Sequence, residues 1–255
     1  MGEGFVMSEI DYSQKGFTKP KEHFIYRIKF TKGEEVKFIG HLDVMRLFQR
    51  AIKRANLPVA YSQGFNPHQL LSFANPLTLG TTSEGEYGDF EMAEKIEPTL
   101  IMAELNKVLP NGVRVLDSVL ITQKTDSAMA AIDGAKYIVF LEELAKRDSL
   151  QEDIKRYLSQ KEILVLKKTK KNEKITDIKP DIFEIKKIPE GFYLYLAAGS
   201  RRNLKPEPVM QSFYNFLGLH FEKYRMRYHR LDLMRTEQGK LVGLSEGIGV
   251  RSLRA

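Results

Sequence analysis

The run "HFEKYRMRYHRLDLM", His220–Met234, alternates through its first ten residues. Phe221, Lys223, Arg225, Arg227 and His229 fall at every second position, with Tyr224, Met226 and Tyr228 between them. Successive side chains of a strand point to opposite faces, so this spacing predicts one long strand. Its aromatic and thioether face would be buried and its cationic face would point outward. The run decides the fold because it comes last: as a strand, it completes in the second half of the chain the order of elements that the first half already shows.

That order starts at "HFIYRIKF" (His23–Phe30), where Phe24, Tyr26, Ile28 and Phe30 alternate with Ile25, Arg27 and Lys29, a strand with one buried face. "HLDVMRLFQRAIKRAN" (His41–Asn56) follows as a helix. Leu42, Met45, Phe48 and Ile52 share one stripe, Arg46, Gln49, Arg50, Lys53 and Arg54 the other, and Pro58 ends it. "AYSQGFNPHQLLSFANPLTLG" (Ala60–Gly80) is expected as a strand, a polar loop and a second apolar strand. "GEYGDFEM", "EPTLIMAELNKVLP" and "VRVLDSVLI" then give strand, helix and strand. The second half repeats the pattern. "KYIVFLEE" is a strand, "SLQEDIKRYLSQ" a helix and "EILVLKKT" a strand. A Lys-rich turn leads to "DIFEIKKI" and "FYLYLAA", a hairpin joined at "PEG", and "KPEPVMQSFYNFLG" is a helix stopped by Gly218.

The fold expected is therefore α+β. Two ferredoxin-like β-α-β-β-α-β halves, residues 23–122 and 123–234, form one duplicated antiparallel sheet with helices on one face. A flexible arm, residues 1–22, precedes them. Residues 235–255, with four glycines and no periodicity, are expected as a flexible tail.

Composition narrows the chemistry. The 255 residues contain no cysteine, which excludes disulfides, a thiol nucleophile and a Cys-ligated zinc or iron–sulfur cluster carried by this chain. Five histidines at scattered positions predict no metal site. No leader or long apolar run is seen, so cytoplasmic residence without a membrane is expected. The net charge of +7 favours polyanionic partners where the charge is clustered.

Three cationic elements are candidates for such a cluster. Lys223, Arg225, Arg227 and His229 form the strand row, which reads either as a solvated outer face or as a phosphate track. Arg46, Arg50 and Lys53 lie on the outer stripe of the first helix. Arg201, Arg202 and Asn203 sit in "GSRRNLKPEPV", either an anion cradle before a helix start or ordinary capping. In the loop "SQGFNPHQ", Gln63, Asn66 and His68 concentrate amide and imidazole groups suited to a base edge or polar ligand. His68, with His41 and Asp43, is the one candidate for acid–base catalysis on a nucleotide-like substrate. His41 and Asp43 open the helix, and capping is the favoured reading over reaching a ligand. Glu84, Glu86, Asp89 and Glu91 make an acidic strand, which reads either as a carboxylate pair of Glu84 and Glu86 on one face or as protection of a sheet edge. No P-loop, dinucleotide fingerprint or nucleophile elbow is present.

Several segments in order resemble the bacterial radical-SAM-linked family, a domain of unknown function found beside or fused to a radical SAM protein. They are "FIGHLDVMRLFQRAIKRANLP", "YSQGFNPH", "NPLTLG", "EYGDFEM", "RRNLKPEPV" and "YRMRYHRLDL", and the resemblance spans residues 23–234. It implies an accessory or substrate-presenting role beside a radical SAM partner, to which SAM and the iron–sulfur cluster would belong. More remotely, the layout is similar to the pseudouridine synthase architecture, whose corresponding loop carries a catalytic aspartate next to an arginine. "SQGFNPHQ" has neither, so this likeness implies an RNA-binding groove without the chemistry. The expected function is a non-catalytic RNA-binding accessory. The alternatives are an enzyme using His68, or a protein scaffold for the radical SAM partner. The oligomeric state is left open.

Overall fold

The computed structural model describes residues 23–168 and 173–253. The expected arm at 1–22, the middle of the Lys-rich turn and the last two residues lie outside the described residues. In chain order the first elements are β1 (Phe24–Lys32), α1 (His41–Arg54), β2 (Leu71–Phe73), β3 (Thr82–Met92), α2 (Pro98–Val108) and β4 (Val115–Ile121). They are followed by β5 (Gly134–Phe140), α3 (Glu142–Ala145), α4 (Leu150–Ser159), β6 (Leu164–Lys168), β7 (Glu173–Asp177), β8 (Ile182–Ile188) and β9 (Gly191–Ala197). The chain ends with α5 (Pro206–Phe216), β10 (Arg227–Glu237), β11 (Lys240–Gly243) and β12 (Gly249–Val250).

Ten strands form one sheet in the order β12-β4-β1-β3-β10-β5-β9-β8, with β2 also on β3 and β11 also on β10. Its pairings are antiparallel except β3 with β10, which is parallel and has two residue pairs, His229 with Thr82 and Arg230 with Ser83. The protein is thus a mixed α+β fold around a large, mostly antiparallel sheet.

Directly paired residues project to one side of a sheet. Phe30 pairs with Glu86, Lys32 with Ser83, Ser83 with Arg230 and Arg230 with Tyr137, so one face runs unbroken from β1 to β5. On that face Tyr26, Ile28 and Phe30 pack with Phe48 and Ile52 of α1 and with Ile101 and Leu105 of α2. Further along, Tyr137, Val139, Phe192 and Leu194 pack with Ile154 and Tyr157 of α4 and with Val209 and Phe213 of α5.

Three sequence expectations change. The strand expected over residues 220–234 begins only at Arg227 and runs on to Glu237, while Lys223–Arg225 is a 3-10 turn. Two ion pairs suit that turn: Arg225 with Glu222 at 2.7 Å, and Lys223 with Glu207 at 2.9 Å. The strand read from "EILVLKKT" joins β7 in a separate two-stranded ribbon rather than the main sheet.

The third change is the tail. Residues 235–253 are built into the sheet: β11 pairs with β10, β12 with β4, and Leu244 and Ile248 are buried. The glycines there serve turns and close approach. A Cβ on Gly249 would lie 1.8 Å from Leu120 O, so only glycine lets the strand pack there.

This C-terminal segment also explains why Arg27, on the face of β1 opposite Tyr26 and Ile28, is 0% exposed. Its guanidinium donates to Asp89 at 2.7 and 3.0 Å, to Leu244 O at 3.0 Å and to Asp126 O at 2.8 Å. Beside it, Asp232 accepts from Lys29 at 2.9 Å and Tyr87 at 2.7 Å.

His229 marks the β3–β10 junction. Its Nδ1 shares a 2.8 Å hydrogen bond with Thr82 Oγ1, and Nε2 lies 3.9 Å from Glu84. Burial lowers its pKa from the usual 6.5, against the opposing pull of Glu84, Glu34 and Glu86. As pH falls, the unfolded chain therefore takes up the proton first. The stability contributed by neutral His229, complete above about pH 6.5, is lost as pH falls through the lower folded value. Urea midpoints followed from about pH 7.5 down to 5 should drop further for the wild type than for His229→Gln. Parallel curves would contradict this assignment.

Candidate nucleic-acid interface

α1 turns its apolar stripe inward, burying Val44, Phe48, Ala51 and Ile52. Arg46, Arg50, Lys53 and Arg54 are exposed on the other side. The helix stops where Asn56 adopts φ 51° ahead of Pro58, and Lys53 and Arg54 in its last turn complement the helix dipole. Two of these cations are engaged locally: Arg46 pairs with Asp43 at 3.3 Å, and Arg54 donates to Val108 O at 2.8 Å, an acceptor left open at the end of α2. Among the described residues Arg50 and Lys53 form no ion pair. Arg46, Arg50 and Arg54 line one wall of a groove whose other wall includes Val108 and Pro110.

On the other flank of α1 stands the loop between Tyr61 and Gln69, which bridge each other at its base. Ser62 N donates to His68 O at 2.9 Å, and His68 N donates to Ser62 Oγ at 3.1 Å. Ser62 Oγ and His68 Nδ1 share a further hydrogen bond of 2.8 Å. Gln69 Nε2 donates to Gln49 O at 3.4 Å, holding the loop against the helix. The tip carries Gly64 at φ 113° and Phe65, whose side chain is 105% exposed. Gln63, Asn66 and His68 are exposed with it.

One contact, Gln69 with Gln49, joins the loop of Gln63, Asn66 and His68 to the helix that carries Arg46, Arg50 and Lys53. The second cationic group is placed differently. Lys223 and Arg225 are held by Glu207 and Glu222, and Arg227 lies 5.1 Å over the Phe140 ring. Arg202 pairs with Asp181 at 3.3 Å, Arg201 is exposed, and Asn203 Oδ1 accepts from Asn75 at 3.3 Å.

His68 does not meet the other proposed acid–base residues. Its contacts are to Ser62, Asp43 pairs with Arg46, and His41 lines a separate cleft with Lys32 and Glu86. Ser62 and His68 have the reach of a nucleophile and base, but the same hydroxyl accepts the His68 N–H, which makes it a turn closure. Among the described residues no group of three or more His, Asp or Glu is placed to hold a metal ion. Nor is any helix among them long and apolar enough to cross a membrane.

Sequence reasoning passed over Phe65 and the charged group at the junction of β3 and β10. Phe65 stands alone among Gly, Asn and Pro, outside any apolar period, and that isolation was its signal. At the junction Arg230, 1% exposed, donates to both Glu86 oxygens at 2.8 and 2.5 Å and to Asn75 O at 3.0 Å. Burial works against its charge, but Glu86 and Tyr137 outweigh it and raise its pKa. Nearby, Lys32 is buried with Nζ donating to Lys37 O at 3.1 Å and Ile39 O at 2.9 Å; burial lowers its pKa.

Fold and surface together define an α+β protein with a cationic helix face beside a braced aromatic loop. Residues 25–206 match the model of a bacterial family described as "Uncharacterized protein conserved in bacteria (DUF2344)". The matched span is more than half of the 255 residues, and the chain belongs to that family. It includes α1, the 61–69 loop and Glu86, and ends before Arg230. Comparison with curated proteins finds no match.

Proposed function

We propose that this protein is a non-catalytic RNA-binding accessory that presents its ligand to a radical SAM enzyme in the cytoplasm, in RNA modification or ribosome-related work. The observation that supports the RNA reading is that the amide-rich 61–69 loop is tied, through Gln69 and Gln49, to the helix whose exposed side carries Arg50 and Lys53, neither in an ion pair among the described residues. Unpaired surface cations suit phosphates, and amides suit base edges. The partner rests on the resemblance of the sequence alone. Since the chain has no cysteine, SAM and the iron–sulfur cluster would be the partner's.

The strand orders support a duplicated ferredoxin-like architecture. In the first half the order is β4-β1-β3-β2, and in the second β10-β5-β9-β8. Counted within each half, and leaving aside the β6–β7 ribbon, both read fourth, first, third, second. The same layout underlies the remote likeness to pseudouridine synthases, with an RNA groove kept and the catalytic aspartate missing.

RNA affinity measured against salt tests the proposal. Arg50→Glu/Lys53→Glu should weaken binding at least roughly tenfold and lower the slope of log K against log salt by about 1.4, since each single-strand phosphate contact contributes about 0.7. Arg225→Glu/Arg227→Glu should cost less, because those cations already face Glu222 and Phe140. Absence of RNA binding at low salt would overturn the reading.

A scaffold role has one observation in its favour. Leu164, Leu166 and Ile175 are exposed on the β6–β7 ribbon, and Leu166 lies opposite Ile175. Co-purification of a radical SAM protein with a variant that no longer binds RNA would support that role, and loss of both together would count against it.

A further inference from the structure

We infer that Phe65 is a stacking platform for an unpaired base, so that the ligand of the α1 face is single-stranded RNA. This rests on the RNA reading above and specifies its substrate class.

Among the described residues nothing packs on Phe65, at 105% exposure, yet the loop that carries it is braced. The Tyr61–Gln69 bridge closes its base, and the Ser62–His68 hydrogen bonds close the next rung. At the tip Gly64 takes φ 113°, a conformation that other residues rarely adopt. Pro67 fixes its own φ and restricts Asn66 before it. The ring is thus presented by an ordered turn.

The neighbourhood selects the ligand. Gln63 and Asn66, exposed two residues before and one after Phe65, offer donors and acceptors suited to the edge of a base lying on the ring. Arg50 and Lys53, on the helix to which Gln69 ties the loop, are without carboxylate partners among the described residues and suit the flanking phosphates. Aromatic stacking beside a cationic track is how single strands are held with little sequence preference. A duplex offers such a ring no free base face, because its bases are already stacked. An apolar protein surface would also accept Phe65, but it has no use for the adjacent cations and amides.

The test is fluorescence anisotropy with a fluorescein-labelled single-stranded RNA of mixed sequence and with the blunt duplex formed on its complement. Wild type should prefer the single strand. Phe65→Ala should lose roughly 5- to 150-fold on it, with the salt slope unchanged, and little on the duplex. Phe65→Trp should keep the affinity. As the chain contains no tryptophan, that variant also supplies a unique fluorophore, which a stacked base quenches. The exposed position makes all three proteins fold alike, checked by thermal melting.

Undiminished single-strand binding by Phe65→Ala, while Arg50→Glu/Lys53→Glu loses it, would overturn the stacking role and leave the RNA reading intact. Equal affinity of wild type for duplex and single strand would overturn it too. No binding of either RNA by wild type would remove both. Loss of a protein partner from Phe65→Ala with RNA affinity unchanged would make the ring a protein contact and reject the inference.

Discussion

Arg230→Met is expected to destabilise the protein by about 3–5 kcal/mol, read as a lower urea midpoint at neutral pH. The guanidinium spans both Glu86 oxygens and also holds the Asn75 carbonyl. Its removal strands a carboxylate in a site with little water. Lys32 stands close enough to interact with Glu86, but its Nζ hydrogen bonds go to Lys37 O and Ile39 O, so it does not replace the pair. Desolvation makes a buried pair contribute little net stability while making its rupture expensive. The companion Arg230→Met/Glu86→Leu should therefore recover much of the loss. A change in Arg230→Met below about 1 kcal/mol would mean that the junction is as well hydrated as an exposed ion pair.

The second large effect is expected at Gly85. A Cβ there would lie 2.4 Å from Asp232 Cα and 2.6 Å from Leu231 O. These are backbone atoms, so no rotamer change relieves the clash and the two strands must separate. Overpacking in a core costs about 1–3 kcal/mol where side chains can shift, and Gly85→Ala should reach or exceed the top of that range. The damage is expected to spread through Asp232 to Lys29 and Tyr87, which hydrogen-bond it across the junction. Amide exchange should therefore quicken in β3 and β10 ahead of β8 and β9. A variant with wild-type stability and exchange would show that β3 and β10 do not approach as closely as this.

Much was legible from local pattern. The helical period of "HLDVMRLFQRAIKR" puts Phe48 and Ile52 in the core and leaves its cations outside, but the buried stripe runs through Val44 and Ala51, and Leu42, expected inside, is 60% exposed; "PEG" marks the turn between β8 and β9. The alternation of β1 gave Tyr26, Ile28 and Phe30 their buried face. The row from Lys223 to His229 misled because alternation is also compatible with a turn whose charges find acids nearby. Glu222 is adjacent, and Glu207 is brought in by α5. Arg230 had a visible clue in its parity with Tyr228 and Met226, the face expected to be buried. What hid its role was the acid it needs, which lies on β3, 144 residues away.

The sequence by itself determined the secondary structure of most periodic segments, the run before Arg227 excepted, the absence of thiol chemistry and the cationic face of α1, because periodicity and composition act locally. The tertiary structure decided which strands became neighbours, which charges were neutralised and that residues 235–253 close over Arg27. Those outcomes depend on pairing between distant segments, where desolvation and backbone approach select the partner, and neither is written in any single stretch of the chain.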